Sequence, residues 1–131
     1  MRRVVLESPF GQNPDLYTVY GRACVADAIS RGDAPMAMHL LYTQPGILDD
    51  QIAAERAKGM EAGFAWYSVA EAVVVYRDFG ISNGMQAGID LAIGYGLQIE
   101  YRSLRGRRID RRCGRPFPRR SPPLDYIDVP D

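Results

Sequence analysis

Two carboxylates stand where an α/β protein would put reactive groups. Glu7 closes the β-branched run RVVLE, and Asp78 follows the valine run AVVVY by two residues. Two carboxylates at adjacent strand ends can divide acid and nucleophile or base roles when their surroundings split their proton affinities. The competing reading makes them loop caps or partners of Arg22, Arg77 or Arg102. A third group follows Asp78 in the stretch DFGISNGMQAGIDLA, residues 78–92, where Ser82-Asn83-Gly84 opens a helical pattern and leads into Met85. Free backbone N–H groups at a helix start, a small hydroxyl cap and a glycine permitting close approach suit an anion such as phosphate. They equally describe an ordinary capped helix.

Positioning these groups takes strands that end at Glu7 and near Asp78 and a helix that begins at Ser82. RVVLE (3–7) reads as a buried strand ended by the turn Ser8-Pro9-Phe10-Gly11. From Pro14 to Arg31, apolar residues recur at three- and four-residue spacings and Gly32 supplies the stop, which predicts the first helix. The segment APMAMHLLYTQPG (34–46) is apolar and uncapped, and predicts a second strand near 36–41 followed by a functional loop. A second helix is expected from about Leu48 to Tyr67, with Asp49 and Asp50 at its positive end. AEAVVVY (70–76) is an uninterrupted apolar run, as in a parallel strand covered on both faces. A third helix from Ser82 to about Tyr95 and a fourth strand, LQIEYR (97–102), complete the order βαβαβαβ. Strands alternating with helices give an α/β fold, a doubly wound, flavodoxin-like parallel sheet of four to five strands with helices on both faces. Ligands of such sheets bind beyond the carboxyl ends of the strands. That places Glu7, Ser8, Pro9, Phe10, His39, Asp78 and Ser82 to Met85 at the site. His39, the single histidine, lies in an apolar segment, where a hydrogen-bonded core role competes with a ligand contact. Trp66 and Tyr67 read as core or dimer-interface aromatics.

A chain of 131 residues with 47% hydrophobic residues makes one compact domain. We place it at 1–104, with an Arg- and Pro-rich, extended C-terminal arm at 105–131. Residues 1–104 carry eight Lys/Arg against twelve Asp/Glu, and residues 105–131 carry eight Arg against four Asp. Asp110, Asp125, Asp128 and Asp131 interrupt the basic arm and no basic stripe with interleaved aromatics accompanies it, so a solvated or partner-docking tail is preferred to a nucleic-acid contact. Cys24 and Cys113 have no metal-ligand spacing, so neither a metal, a cofactor nor a disulfide scaffold is called for, and a reducing cytoplasm fits. The N-terminal apolar run is too short for a signal peptide or membrane span.

Taken together, VVLESPF, a proline and histidine around strand two, AVVVY, then S-x-G-M-x-x-G-x-x-x-A and a short last strand resemble the nucleoside 2-deoxyribosyltransferase superfamily, which includes nucleoside 5′-monophosphate N-glycosidases. The resemblance spans about residues 3–103 and looks closest to often phage-borne members with the pattern GIS-x-GM-x-x-G-I. It implies a flavodoxin-like fold, a homodimer or higher oligomer, and cleavage of the base–sugar bond by a glutamate on the third helix, four residues before an alanine. On this alignment Ser82 and Gly84 match the phosphate turn, Ala92 matches the alanine, Gly88 stands at the nucleophile position, and Val5 stands where a strand-one tyrosine is usual. The expectation is a nucleotide-binding protein of this type, cleaving a nucleoside monophosphate through Glu7 and Asp78, with Gly88 and Gly84 clearing a groove that suits a ligand's ring or a partner helix. The alternatives are a catalytically silent binder that sequesters or senses a nucleotide-like signal, and a structural dimer without a small ligand. The arm and the helices are the expected dimer contacts.

Overall fold

A computed structural model describes residues 1–112, 116–117 and 126–130. Four parallel strands, β1 (Arg2–Glu7), β2 (Asp33–Met36), β3 (Ala72–Tyr76) and β4 (Gln98–Arg102), form one sheet in the order β2-β1-β3-β4. Of the two inner strands, β3 is apolar throughout with all five residues buried, and β1 buries Val4, Val5 and Leu6. Alternate side chains of β1 and β3 enter opposite cores. Val4, Leu6, Val74 and Tyr76 pack beneath helix α1 (Pro14–Ser30), while Val5, Val73 and Val75 meet Met85, Ile89 and Ala92 of helix α4 (Asn83–Gly94). Helices therefore cover both faces, as the valine runs require. Asn13 caps α1 by accepting from Leu16 N at 3.3 Å, with Pro14 in the first turn, where no N–H is needed. Gly32, at φ 91°, ends the connection into β2 in a conformation open to glycine.

The second strand lies earlier than 36–41. β2 is an edge strand holding Pro35, tolerated there because the outer side of the strand needs no ladder donor. Its pairing with β1 ends at Val5 opposite Met36, and Met38–Tyr42 then turn into a short helix, α2. Met38 and Tyr42 join the α4-side core, which an extended segment leaving the sheet edge would not reach. The next helix, α3 (Ala53–Phe64), is shorter than the expected 48–67. Asp49 takes Gln51 N at 2.9 Å, a local turn that holds residues 49–52 out of the helix. A single 3-10 turn, Tyr67–Val69, follows α3.

The chain beyond residue 104, expected as an extended arm, contributes a small antiparallel sheet: β5 (Arg108–Asp110), β6 (Pro116–Phe117) and β7 (Tyr126–Asp128) in the order β6-β5-β7. Leu104, Ile109, Ile127 and Val129 are buried in the α1-side core of their own chain. Hydrophobic burial accounts for this, since those side chains cover a part of α1 that the parallel sheet leaves open. Cys113 and residues 118–125 of the arm lie outside the described residues. No helix among the described residues is long and apolar enough to cross a membrane.

Candidate functional site

Glu7 points to the α4 side of the sheet, like Val5 two residues before it, and pairs in register with Val75 of β3. Over it passes α4 at Gly88. A Cβ built on Gly88 would fall 2.5 Å from Tyr67 Oη and 2.8 Å from Glu7 Cδ, and would overlap Glu7 Oε1. The Tyr67 hydroxyl donates to Glu7 Oε1. Tyr67 is buried, and Phe64 meets its ring edge-on with centroids 5.7 Å apart. Desolvation raises the Glu7 carboxyl from the usual 4.5 to about 7, against the Tyr67 hydrogen bond, which lowers it. Burial and the neighbouring carboxylate push the Tyr67 phenol far above its ordinary range, so it stays a donor.

Glu7 lies in the floor of a cavity of about 130 Å³. Ser8 and His39 form one wall, with Ser8 Oγ 2.8 Å from His39 Nε2. Burial pushes the His39 imidazole down to about 4, which leaves it neutral at pH 7. Thr43 Oγ1 donates to the His39 carbonyl at 2.5 Å, and the Phe10 ring meets the imidazole edge-on. The remaining wall is largely apolar, with Met38, Met60, Phe64 and Met85.

The mouth is formed by the start of α4. Ser82 accepts from Met85 N at 3.3 Å and caps the helix; the N–H groups of Asn83 and Gly84 precede the first intrahelical donor and point outward with the helix dipole. Arg56 of α3 reaches the same place, its Nη2 3.4 Å from where a Gly84 Cβ would stand and its Nη1 held by Asp50 at 3.1 Å. Pro9, Phe10, Asn83 and Gly84 continue as a shallow groove outside. An anion at this mouth would meet backbone donors and a guanidinium together.

Of the residues singled out in the sequence, Glu7, Ser8, Phe10, His39, Ser82, Gly84 and Met85 line one cavity, Pro9 and Asn83 line its outer groove, and Gly88 touches Glu7 from above. Asp78 does not join them. It lies on the α1 side of the sheet, where it accepts from Tyr20 Oη at 2.5 Å, from Leu104 N at 2.9 and 3.1 Å, and from the Ser103 hydroxyl. Its carboxylate staples the end of β3 to the end of β4 and to α1, so the expected pairing with Glu7 across the crevice is replaced by a structural role. The physical cause is alternation: Asp78 follows the same face as Tyr76, opposite to Glu7. Neither acid pairs with the arginines considered above; Arg102 binds Asp33 at 2.7 Å and Glu100 at 2.8 Å.

Two site residues escaped sequence reasoning. Tyr67 had no polar signal distinguishing it from a core aromatic, and Arg56 stands on a helix whose cavity face only the tertiary packing defines. Among the described residues no three His, Cys, Asp or Glu side chains converge as metal ligands would.

No curated protein matches the sequence. The cavity residues from Glu7 to Gly88 all fall within one family model, which matches residues 2–102 and so runs from the first residue of β1 to the last of β4. The chain therefore belongs to the family described as Domain of unknown function (DUF7768).

Proposed function

We propose that this protein binds a nucleoside 5′-monophosphate and cleaves its base–sugar bond with Glu7. The observation that carries the reading is the seat of Glu7: its carboxyl occupies the space a side chain at Gly88 would fill, at the floor of a cavity whose mouth is the start of α4. The resemblance to the nucleoside 2-deoxyribosyltransferase superfamily puts a catalytic glutamate on α4 at position 88. Here a strand-borne carboxyl reaches the same space from the other side. A cavity of about 130 Å³ is close to those that accept a single six-membered ring. One ring of the ligand enters it while the phosphate stays outside with Asn83 N, Gly84 N and Arg56.

A carboxyl at about 7 is roughly half ionised in neutral solution, which suits a group that must act as nucleophile or base there. In the proposed step, Glu7 attacks the anomeric carbon, the carbon–nitrogen bond breaks, and its electron pair leaves with the base, which takes a proton from solvent. Water then hydrolyses the glycosyl ester. Tyr67 orients the carboxyl. His39, neutral and bonded to Ser8, offers fixed polar contacts to the ligand instead of acid–base chemistry.

One observation favours a second reading, a silent nucleotide binder. The cavity floor holds one carboxylate, Asp78 is engaged elsewhere, and of the other acids of the cavity Asp50 holds Arg56 and Glu55 accepts from Asp49 N. The experiment that separates the two is release of free base from a panel of nucleoside 5′-monophosphates, followed chromatographically, with calorimetry on the same panel. Glu7→Gln should bind as the parent does and lose at least about a thousandfold in rate, equivalent to ~4 kcal/mol in barrier. Gly84→Glu, whose side chain fills the mouth beside Arg56, should abolish binding. Binding without release in the parent assigns the silent binder; binding by Gly84→Glu equal to the parent's removes the phosphate site from α4.

A further inference from the structure

We infer that Tyr67 and Gly88 form a two-part seat that positions Glu7: the glycine leaves the room for the carboxyl between α4 and β1, and the phenol fixes which way it faces. The inference rests on the reading of Glu7 as the reactive group, and it names the residues that place it. Three observations carry it.

First, Gly88 is singular within its helix. A glycine in a helix interior costs about 1 kcal/mol relative to alanine. At Gly84 an added Cβ would meet only Arg56, at 3.4 Å, and at Gly94 it would meet nothing within 4 Å. At Gly88 alone it would strike the carboxyl of Glu7 and the hydroxyl of Tyr67. The missing side chain therefore has a local purpose, and it serves both partners at once. Second, Tyr67 is held too firmly to be a passive neighbour. It is 1% exposed, its ring is braced by Phe64, and the 3-10 turn that carries it is closed by Ala70 N donating to Tyr67 O at 3.3 Å. Third, nothing else ties Glu7 down. Tyr67 is the one side chain that hydrogen-bonds it among the described residues. Val75 beside it in the sheet is apolar, as is Met85 in the lining of the same cavity. The other titratable groups of the cavity are His39 on α2, neutral and bonded to Ser8, Tyr42 at the end of α2, bonded to Trp66, and Asp50, Glu55 and Arg56, which contact one another or the turn at residue 49.

The two halves of the seat act on the carboxyl in opposite directions. Tyr67→Phe removes the donor that favours the charged form and leaves the desolvation in place, so the carboxyl should become harder to ionise. Gly88→Ala drives a methyl into the seat and pushes the carboxyl toward the open cavity and water, so it should become easier to ionise. A purely structural role for either residue would loosen the packing and admit water in both variants, moving both the same way.

The test is a pH titration of the full chain labelled with carboxyl-13C glutamate, with the Glu7 resonance identified by its disappearance in Glu7→Gln. The expected result is a midpoint raised by about one pH unit in Tyr67→Phe and lowered by about one pH unit or more in Gly88→Ala. Unmoved midpoints, or a fall in both variants, would overturn the seat. Should Gly88→Ala fail to fold, the direction of the Tyr67→Phe shift decides alone. Because the titration needs no ligand, it is independent of turnover on the panel of nucleoside 5′-monophosphates. Opposed shifts without base release keep the seat and remove the glycosidase reading; base release with unmoved midpoints does the reverse.

Discussion

Replacing Glu7 by glutamine should stabilise the protein at neutral and alkaline pH, by an amount that depends on pH. In the folded state the carboxyl titrates at about 7, against the usual 4.5 expected of the unfolded chain. Between those values the folded protein keeps a proton that the unfolded chain has released, so stability is full below about pH 4.5 and is lost as pH rises through 7. The displacement from 4.5 to about 7, at about 1.4 kcal/mol per pH unit, amounts to ~3 kcal/mol of stability lost by the parent above pH 8. Glutamine has the same shape, still accepts from the Tyr67 hydroxyl, and carries no charge to desolvate. Its amide N–H groups need partners that the apolar floor does not supply, a penalty of about 1 kcal/mol. The net gain at pH 8 to 9 is therefore about 2 kcal/mol, or roughly 8 °C in Tm for a chain of this size. Scanning calorimetry of parent and variant from pH 4 to pH 9 checks this. Below pH 4.5 the variant should melt slightly below the parent, the two curves should cross at about pH 5, and the variant's advantage should grow to about pH 7 and then level off. A Tm difference that is constant across the range would refute the desolvation of Glu7 and, with it, the reason for calling this carboxyl reactive.

Two further outcomes follow from the same geometry. Asp78→Ala removes the acceptor for Tyr20, Ser103 and Leu104 N and should cost ~3 kcal/mol in urea unfolding; nucleotide binding by the folded fraction should be unchanged, and a selective loss of binding at full stability would return Asp78 to the site. Truncation after Leu104 uncovers the part of α1 packed by Ile109, Ile127 and Val129; at ~1.5–3 kcal/mol for each buried side chain it should lower Tm by well over 10 °C, whereas a dimer-docking arm would instead show a lowered molar mass in light scattering with Tm retained.

Much of the architecture was legible in the residue order alone. The valine runs at 4–5 and 73–75, with helical spacing between them, demand inner parallel strands covered on both faces, and Ser82 marks the start of α4 to the residue. These features are local: period, capping and turn chemistry act over a few residues, so a sequence exposes them directly. β2 and α2 were less legible because Pro35 and the apolar run after it satisfy strand and helix patterns alike, and only the length of the β1 edge decides where one stops and the other begins. The identity of the site's central acid was half visible. Glu7 at a strand end marks a candidate in any α/β sheet, and Asp78 carries the same mark. What separates them is which face each side chain takes and what that face is packed against, a parity set by the register of β1 and β3 together. The role of Gly88 belongs wholly to tertiary structure. In the sequence it is a missing side chain; in the fold its empty space is occupied by the carboxyl of a residue 81 positions earlier and the hydroxyl of Tyr67, because α4 crosses the sheet where β1 ends.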